Sequence, residues 1–448
     1  MSHQNKEVVL FINSMHAPTH SALRSYANKT GKRFKPVVIV DTCIKDSIHE
    51  LNSQDHLDGN AEVISADFSS AASLRQALQP LEGQICAVTS QYENSIHELK
   101  RIVPYLPYLP VPTETSLDWA TDKKLMREAF NAYDRSLSPQ SMQVDDATIS
   151  TVQKVEDAMN YPVIIKPSGL ERSMLVAVAH NHQELIDTLD YTFKQLEKAH
   201  KQWLKRTRPT VLVEEFMEGD MYSIDTYIAN DGTCRHASPI KVITGHKVGF
   251  EDFFTYLQLS PCGLRADEIE GAYKATESAC KALGLRSITA HTELMNTPNG
   301  WKIIEVGPRI GGYRHELYGL SHDMNHIMND IINRTGDIPD VPSEPKRYAA
   351  IFKTYAQEEG RLKTIHGLEK VKRLSSYVTM KHPYKRGDML KFARNNGNAP
   401  IEITLCNDNP AQLQSDIETI EKTVYVEVSP NHSILSPAVS HNRSAQSA

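Results

Sequence analysis

The chain has 448 residues, a formal net charge of −6 and a pI near 6.3. This length is too great for one hydrophobic core, so we expect about two to four domains. The acidic balance weighs against nucleic acid or an anionic membrane as the main partner. The six cysteines form no Cys-x-x-Cys pair, which argues against a zinc knuckle or a dithiol redox motif. No apolar run resembles a signal peptide or a membrane span, so we expect reduced thiols and a cytoplasmic protein.

The first 112 residues alternate short apolar runs with amphipathic segments. This alternation predicts a parallel sheet covered by helices, and such sheets bind ligands at the carboxyl ends of their strands. The first strand leads into Asn13–Pro18 without Gly-x-Gly-x-x-Gly, so a dinucleotide fingerprint is absent there. The Pro-rich segment 104–112 predicts a domain edge. The predicted strands cover 8–14, 36–41, 62–66 and 85–89, and the predicted helices cover 21–31 and 72–81.

The rest of the chain mixes both kinds of element. We predict a helix that Thr121 caps and that runs to Phe130, a helix over 267–283 that ends at Gly284, and a helix near 322–334. Predicted strands cover 163–166, 175–179, 211–215 and 223–229, and a hairpin covers 287–306. The Pro-rich linker 337–345 precedes a smaller, mostly strand-like region to about residue 428, and we expect a disordered tail over 431–448.

Two glutamates lie on the predicted hairpin. If residues 298–300 form the loop, Thr297 pairs with Trp301, and counting back places Glu293 opposite Glu305. Two facing carboxylates repel each other. A hard cation such as Mg²⁺ between them would remove that repulsion. A register shifted by one residue would instead place the two acids on opposite faces.

Three further segments carry groups that suit a nucleotide. A buried strand delivers Lys166 to the polar loop 168–173, whose backbone N–H groups could surround phosphate oxygens; an ordinary surface turn is the alternative. The strand 211–215 supplies acids and then apolar residues, which suit the edge and faces of a base. Lys123 and Lys124 lie in a first helical turn, where a cation is disfavoured unless an anion is near; simple solvation is the alternative.

The order of these segments resembles an ATP-grasp enzyme over roughly residues 1–345. The sequence reads Asp-Lys from 122, Lys-Pro-Ser-Gly from 166, Val-Glu-Glu-Phe-Met-Glu-Gly from 213, Thr-Glu-Leu from 292 and Ile-Glu-Val-Gly-Pro-Arg-Ile-Gly-Gly from 304. The resemblance implies an α/β fold in three parts. These are an N-terminal Rossmann-like domain (1–112), a two-lobed ATP-grasp core (113–345) with a lid over about 150–213, and a small β-rich subdomain (346–430).

The resemblance also implies roles for individual residues. The implied catalytic groups are Arg309, which would steady the reacting phosphate, together with Glu305 and Lys166. Glu293 and Glu305 would bind Mg²⁺, with Mn²⁺ as an alternative ion. The residues implied to bind ATP are Lys123 (with Lys124 as a less favoured substitute), Lys166, Ser173, Glu214, Glu215, Phe216 and Met217.

Two positions depart from the family pattern. Many members carry Asn two residues after the second metal glutamate, whereas this chain has Gly307. One metal ligand is therefore missing or replaced by water. The ribose-binding Glu expected after the adenine strand is replaced by Met221, and Asp220 or Glu218 could serve instead.

Within the family, the chain looks most like the L-amino acid ligases and related carboxylate–amine ligases. The run from Glu305 to Tyr313 resembles their second metal strand and substrate loop, and 346–428 loosely resembles their C-terminal subdomain. The implied substrates are a small-molecule carboxylate and an amine. They would meet Gly311, Gly312, Tyr313, Arg314, His315 and Glu316, with His246, Lys247 and Glu251 as weaker candidates.

The implied reaction forms an amide or peptide bond through an acyl phosphate, uses ATP and Mg²⁺, and releases ADP and phosphate. The family also implies a homodimer. The alternatives are an ATP-grasp carboxylase or purine-pathway ligase, and a nucleotide-binding regulator without turnover. Gly307 and Met221 favour the regulator. The intact set of Glu293, Glu305 and Arg309, together with Lys166, argues against it.

Overall fold

The computed structural model describes residues 7–43, 61–168, 174–202, 210–250 and 252–430. Ser173, Glu251 and the tail from residue 431 lie outside these ranges. The described residues adopt the predicted α/β fold, with one parallel sheet and three mainly antiparallel sheets. Among the helices of the described ranges, none is long and apolar enough to cross a membrane.

The N-terminal domain holds the parallel sheet, with strand order β3-β2-β1-β4. Its central strand, Val8–Ile12, is buried along its whole length because helices and the neighbouring domain cover both faces. The prediction of a parallel sheet is confirmed. The elements are β1 (Val8–Ile12), α1 (Thr19–Thr30), β2 (Lys35–Asp41), β3 (Glu62–Ala66), α2 (Ala71–Leu78), β4 (Ile85–Thr89) and α3 (Ile96–Ile102).

Two helices, α4 (Glu114–Thr121) and α5 (Lys123–Tyr133), connect this domain to the rest of the chain. The prediction that Thr121 caps the second helix is wrong. Asp122 is the cap, because its carboxylate accepts hydrogen bonds from the backbone N–H groups of Lys124 and Leu125. The cap fixes Lys123 as the first residue of α5.

A four-stranded antiparallel sheet of order β5-β8-β6-β7 lies within residues 141–215, which include the segment predicted to be a lid and are called the lid here. The helix α7 (His182–Gln202) of this part was not predicted, although Leu185, Leu189 and Leu196 recur at helical spacing and are buried. The elements are β5 (Ser141–Val144), α6 (Ile149–Ala158), β6 (Val163–Pro167), β7 (Ala177–Ala179), α7 (His182–Gln202) and β8 (Val211–Glu215).

A nine-stranded sheet forms the remaining lobe, with the order β14-β13-β9-β11-β12-β15-β19-β17 and β10 attached to β9. Its first part contains β9 (Asp220–Ile228), β10 (Cys234–His236), β11 (Ile240–Thr244), β12 (Thr255–Ser260), α8 (Ala266–Ala282), β13 (Ile288–Thr297), β14 (Gly300–Gly307), α9 (Arg314–His322) and α10 (His326–Thr335).

The same sheet continues into the region after the Pro-rich linker, because β12 pairs with β15. The residues that follow residue 345 therefore share a sheet with the core. This part contains β15 (Tyr348–Thr354), β16 (Gly360–His366), α11 (Leu368–Val371), β17 (Tyr377–Lys381), β18 (Met389–Leu390), β19 (Ile401–Asn407), α12 (Pro410–Thr423) and β20 (Tyr425–Pro430).

The helix predicted near 322–334 is confirmed as α10 (His326–Thr335). A second helix, α9, precedes it and was not predicted; residues 323–325 separate the two. Asp323 adopts a left-handed backbone conformation with φ 52°, which ends α9. The break turns α10 so that it packs against the N-terminal sheet.

One buried carboxylate ties α10 to both the N-terminal domain and the large sheet. Asp330 accepts hydrogen bonds from Thr89 Oγ1 at 2.7 Å and Thr289 Oγ1 at 2.6 Å, and it pairs with Arg334 Nε at 2.9 Å. Asp330 is 1% exposed, so these bonds hold the two domains together inside a shared core.

Candidate functional site

The hairpin of β13 and β14 places Glu293 directly opposite Glu305, as predicted. The predicted turn is wrong, because Thr297 pairs with Gly300 and the loop has two residues, Pro298 and Asn299. A bulge between Glu293 and Leu294 compensates for this shift by one residue. The two acids therefore lie on one face of the ladder because of this bulge, which counting from the turn did not include.

Lys123, the first residue of α5, reaches this pair of acids. Its Nζ lies 2.9 Å from Glu305 Oε1, and its backbone N–H donates to Ser168 Oγ at 3.1 Å. Burial alone would lower the pKa of Lys123, but the charge of Glu305, its hydrogen bond and the charge of Glu93 raise it. The lysine is therefore charged, and Glu305 is the anion that compensates for a cation at this helix start.

Lys166 lies in a buried ion triad. Lys166 Nζ is 3.0 Å from Glu214 Oε2, and Arg127 Nε is 2.8 Å from Glu214 Oε1. Arg127 also donates to the backbone oxygen of Ile304 on β14 at 2.8 Å, so the triad links the lid to the hairpin of β13 and β14. Burial would raise the pKa of Glu214, but the charges and hydrogen bonds of Arg127 and Lys166 lower it to about 2.

The structure thus separates the neighbouring residues predicted to line adenine. Glu214 points inward to the triad, and Glu215 is exposed at the end of β8. Phe216 packs edge-on against His246 with ring centroids 6.1 Å apart, and His246 stacks on Phe253 at 4.7 Å. These flat aromatic surfaces at the lid hinge suit a base. Sequence analysis missed Phe253.

The other polar candidates near the hinge have partners. Asp220 pairs with Lys241 at 3.2 Å and with Lys247 at 3.9 Å. Burial lowers the pKa of His246, and the charges of His180 and Lys247 lower it further. His246 therefore presents a neutral ring, which is suited to stacking.

Arg309 follows β14 and forms an ion pair with a residue of the N-terminal domain. Its Nε lies 2.6 Å from Glu93 Oε2. A Cβ at Gly307 would approach that same oxygen to 3.0 Å, so the Glu93 carboxylate lies beside the place of the missing side chain. Sequence analysis missed Glu93, because no local pattern connects it with β14.

The carboxylates of β13 and β14 suit a hard divalent cation, since they are oxygen ligands on one face. Burial would raise the pKa of Glu293, but hydrogen bonding and charge from His291, then the charges of Arg309 and Arg314, keep it low and the group ionised. In the described ranges, three His, Cys, Asp or Glu ligand atoms come within 4.8 Å of one another only at Asp41, Cys43 and Asp67, in the N-terminal domain. Among the described residues, the hairpin therefore brings together no third ligand of these types near Glu293 and Glu305.

Residues 309–313, predicted to meet the substrates and called the substrate loop here, lead into α9. Tyr313 has a left-handed backbone with φ 63°, and Lys353 Nζ lies 3.5 Å from the centroid of its ring. Arg314 is 3% exposed and donates to Gln258 Oε1 and Ser223 Oγ. Arg314 therefore holds the loop against the large sheet, whereas Tyr313 borders the C-terminal strands. Sequence analysis missed Lys353.

His315 and Glu316 face in different directions. Glu316 Oε1 accepts from Thr404 Oγ1 at 2.7 Å, on β19. The ring of His315 lies 5.9 Å from the ring of His16 in the N-terminal domain, and its Nδ1 is buried without a hydrogen-bond partner among the described residues. Burial, followed by the charges of His326 and Lys381, lowers the pKa of His315 to about 4, so the ring is neutral near pH 7.

Comparison with known proteins finds a family model that matches part of the chain and solved structures with a similar fold. Residues 159–316 match the family model described as an ATP-grasp domain. The chain is 24% identical over 278 residues, 61% of its length, to an uncharacterized protein of Sinorhizobium fredii. It is 23% identical over 219 residues, 48% of its length, to a D-alanine–D-alanine ligase of Buchnera aphidicola. These alignments span 54% and 65% of the two relatives, roughly half to two thirds of their length.

The solved structure of an L-amino acid ligase from Bacillus licheniformis superposes on this chain with a TM-score of 0.73. The superposition covers 95% of this chain and 100% of that one, at 18% identity. At this identity the likeness concerns the fold. It includes the N-terminal domain and the C-terminal strands, which lie outside the residues matched by the family model.

Proposed function

We propose that this chain, a member of the ATP-grasp superfamily, is an ADP-forming ligase that joins a carboxylate to an amine. The observation that carries the proposal is the convergence at one hairpin of two facing carboxylates, Glu293 and Glu305, with the cations Lys123 and Arg309 beside them. Such a set matches a phosphate chain with its metal ion. A purely structural hairpin would have no use for facing acids on its partly buried face.

The donor set fits Mg²⁺, as argued above, and Glu293 and Glu305 would hold it. When bound, the ion would neutralise phosphate oxygens and polarise the transferring group. Lys123 is held by Glu305 in this structure and lies where it could move to a phosphate oxygen. Lys166 is fixed by Glu214, so its ammonium group would be held ready for a phosphate at a defined position.

The reaction would then have two displacements. A carboxylate oxygen of the first substrate attacks the γ-phosphorus of ATP, the bond to the β-phosphate oxygen breaks, and ADP leaves. The amine nitrogen attacks the acyl carbon of this acyl phosphate, phosphate leaves with the bonding electrons, and the nitrogen loses a proton. Negative charge builds up on the transferring oxygens, so positioned cations such as Arg309 supply most of the catalytic effect.

Amino acids are the substrates that the surroundings of the loop support best. Glu93 could bind an ammonium group once Arg309 turns to phosphate, and the neutral ring of His315 could accept a hydrogen bond from an amine. Tyr313, whose ring lies beneath Lys353 Nζ, would contact the side chain of such a substrate. The fold similarity to an L-amino acid ligase is consistent with this assignment.

The test is a phosphate-release screen of the full chain with ATP, Mg²⁺ and pairs of amino acids or amines. Hydroxylamine added with a single carboxylate should trap a hydroxamate if an acyl phosphate forms. Phosphate release that needs bicarbonate would favour the carboxylase. Nucleotide binding without release for any pair would favour the regulator.

A further inference from the structure

A buried carboxylate on β9 lies behind the site. Asp225 is 0% exposed and accepts hydrogen bonds from His291 Nδ1 at 2.6 Å, His326 Nε2 at 2.7 Å and the backbone N–H of Gly311 at 2.7 Å. A buried charge is costly unless it is paired and hydrogen-bonded. Asp225 meets this condition, because each of its oxygens faces a ring nitrogen and one also accepts the N–H of Gly311.

Two of the donors to Asp225, His291 and Gly311, belong to elements that carry the proposed chemistry. His291 lies two residues before Glu293 on β13, and its second nitrogen, Nε2, is 3.6 Å from Glu293 Oε1. Gly311 lies two residues after Arg309 in the substrate loop. One carboxylate therefore joins the metal strand to the loop that would meet the acyl group.

Gly311 shows how close this junction is. A Cβ on Gly311 would lie 2.4 Å from His291 Nδ1, 2.6 Å from Arg314 Cγ and 2.8 Å from Asp225 Oδ1. Its backbone angles lie outside the left-handed region, so packing, rather than backbone conformation, demands glycine here. The loop is seated directly against Asp225 and His291, with no room for even a methyl group.

We propose that Asp225 is a positioning residue that sets the distance between the metal-binding strand and the substrate loop. Asp225 is fully buried, so its role would be carried out through its hydrogen-bond partners. It acts by holding the N–H of Gly311 and the ring of His291 in place. The inference rests on the proposed ligase function for its kinetic consequences, whereas its structural part stands independently.

The variants Asp225→Asn and Gly311→Ala each disrupt the hydrogen bond between Gly311 N–H and Asp225, one at the acceptor and the other at the donor. Asp330→Asn is the matched control, because Asp330 is equally buried and hydrogen-bonded but ties the domains together away from the loop. With a substrate pair from the screen, Asp225→Asn and Gly311→Ala should raise the KM of both substrates about 10-fold or more. The dissociation constant of ADP with Mg²⁺ should stay within about twofold. Asp330→Asn should lower thermal stability and leave these constants unchanged.

The double variant gives a second criterion. Since both changes break one contact, their effects on KM should not add, and the double variant should resemble the more severe single variant. Multiplicative effects of the two changes would overturn the proposal. A loss of ADP affinity that matches the loss of substrate affinity would also overturn it, because that pattern indicates general damage.

Hydrogen exchange tests the structural part without turnover. The peptide spanning residues 306–316 should exchange about 10-fold faster in Asp225→Asn and in Gly311→Ala than in the wild-type chain, but not in Asp330→Asn. Unchanged exchange in both site variants would refute the positioning role. If the wild-type chain proves inactive with every pair, the proposed function fails, and this exchange measurement still decides the inference. If Asp225→Asn does not fold, Gly311→Ala alone supplies the comparison.

Discussion

Replacing Glu214 with glutamine should destabilise the lid and its junction with the hairpin. Glu214 is 1% exposed and neutralises both Arg127 and Lys166. Its pKa of about 2, against an ordinary value of 4.5, corresponds to about 3 kcal/mol of preference for the ionised form. Removing one member of a buried ion network costs roughly 3–5 kcal/mol. We therefore expect a loss of about 3 kcal/mol and, for a chain of this length, a fall in Tm of roughly 3 °C.

The sign of the pH dependence follows from the same shift. The native pKa of Glu214 lies below the unfolded value, so its stabilisation is complete above about pH 4.5 and is lost as the pH falls from there towards 2. The difference in stability between wild type and Glu214→Gln should therefore be largest near pH 7. It should shrink as the pH falls through 4.5.

The assay is urea unfolding followed by fluorescence at pH 7, 5 and 4, together with thermal melting. Glu215→Gln is the control, because the neighbouring carboxylate is exposed and its loss should change stability by less than about 0.5 kcal/mol. The reasoning is refuted if Glu214→Gln behaves like Glu215→Gln. It is equally refuted if the stability difference does not depend on pH between 7 and 4.

Three further outcomes are expected. Glu305→Gln should lower kcat by about 100-fold or more while circular dichroism and Tm stay close to those of the wild type; activity near wild type would remove the metal assignment. Tyr313→Ala should alter which carboxylates and amines are used, with the KM of ATP within about twofold; the reverse pattern would misplace Tyr313. His236→Gln should reduce the stability lost between pH 6.5 and 4. Burial lowers the pKa of His236 to about 4, so the unfolded chain takes up the proton first, at a cost of up to about 3 kcal/mol. Equal acid sensitivity in urea unfolding would contradict that shift.

Much of the fold could be predicted from the sequence, because the patterns that indicate it lie within a few neighbouring residues. A few residues suffice to recognise each of three features: the apolar runs of the parallel sheet, the strand that ends at Lys166 and the glutamates of the hairpin. The hairpin also shows the limit of such reasoning. The pairing of Glu293 with Glu305 was predicted from a loop that was one residue too long. The prediction held only because a bulge, which no local sequence pattern indicates, shifts the register back by one residue.

The remaining site residues could not be found by local patterns. Glu93 and Lys353 lie far from the motifs in the chain, and only tertiary packing brings them to Arg309 and Tyr313. Asp225 lies close to a motif in the sequence, but its contacts with His291 and Gly311 depend on the pairing of β9 with β13 and on the path of the loop. The direction of Glu214 was equally hidden. Two adjacent acids at the end of a strand point to opposite faces, and the sequence alone does not say which one meets Arg127.

The ion pair of Glu93 with Arg309, next to Gly307, makes two distant positions depend on each other. A side chain at 307 would press on the Glu93 carboxylate, so Gly307→Asn would not simply restore a third ligand. The new side chain would also crowd the Glu93 carboxylate of the N-terminal domain, which pairs with Arg309. Substitution at position 93 is therefore constrained by position 307, and the reverse also holds. A chimera that exchanges only one of these domains would combine positions 93 and 307 from different proteins, and their side chains would not be matched to each other.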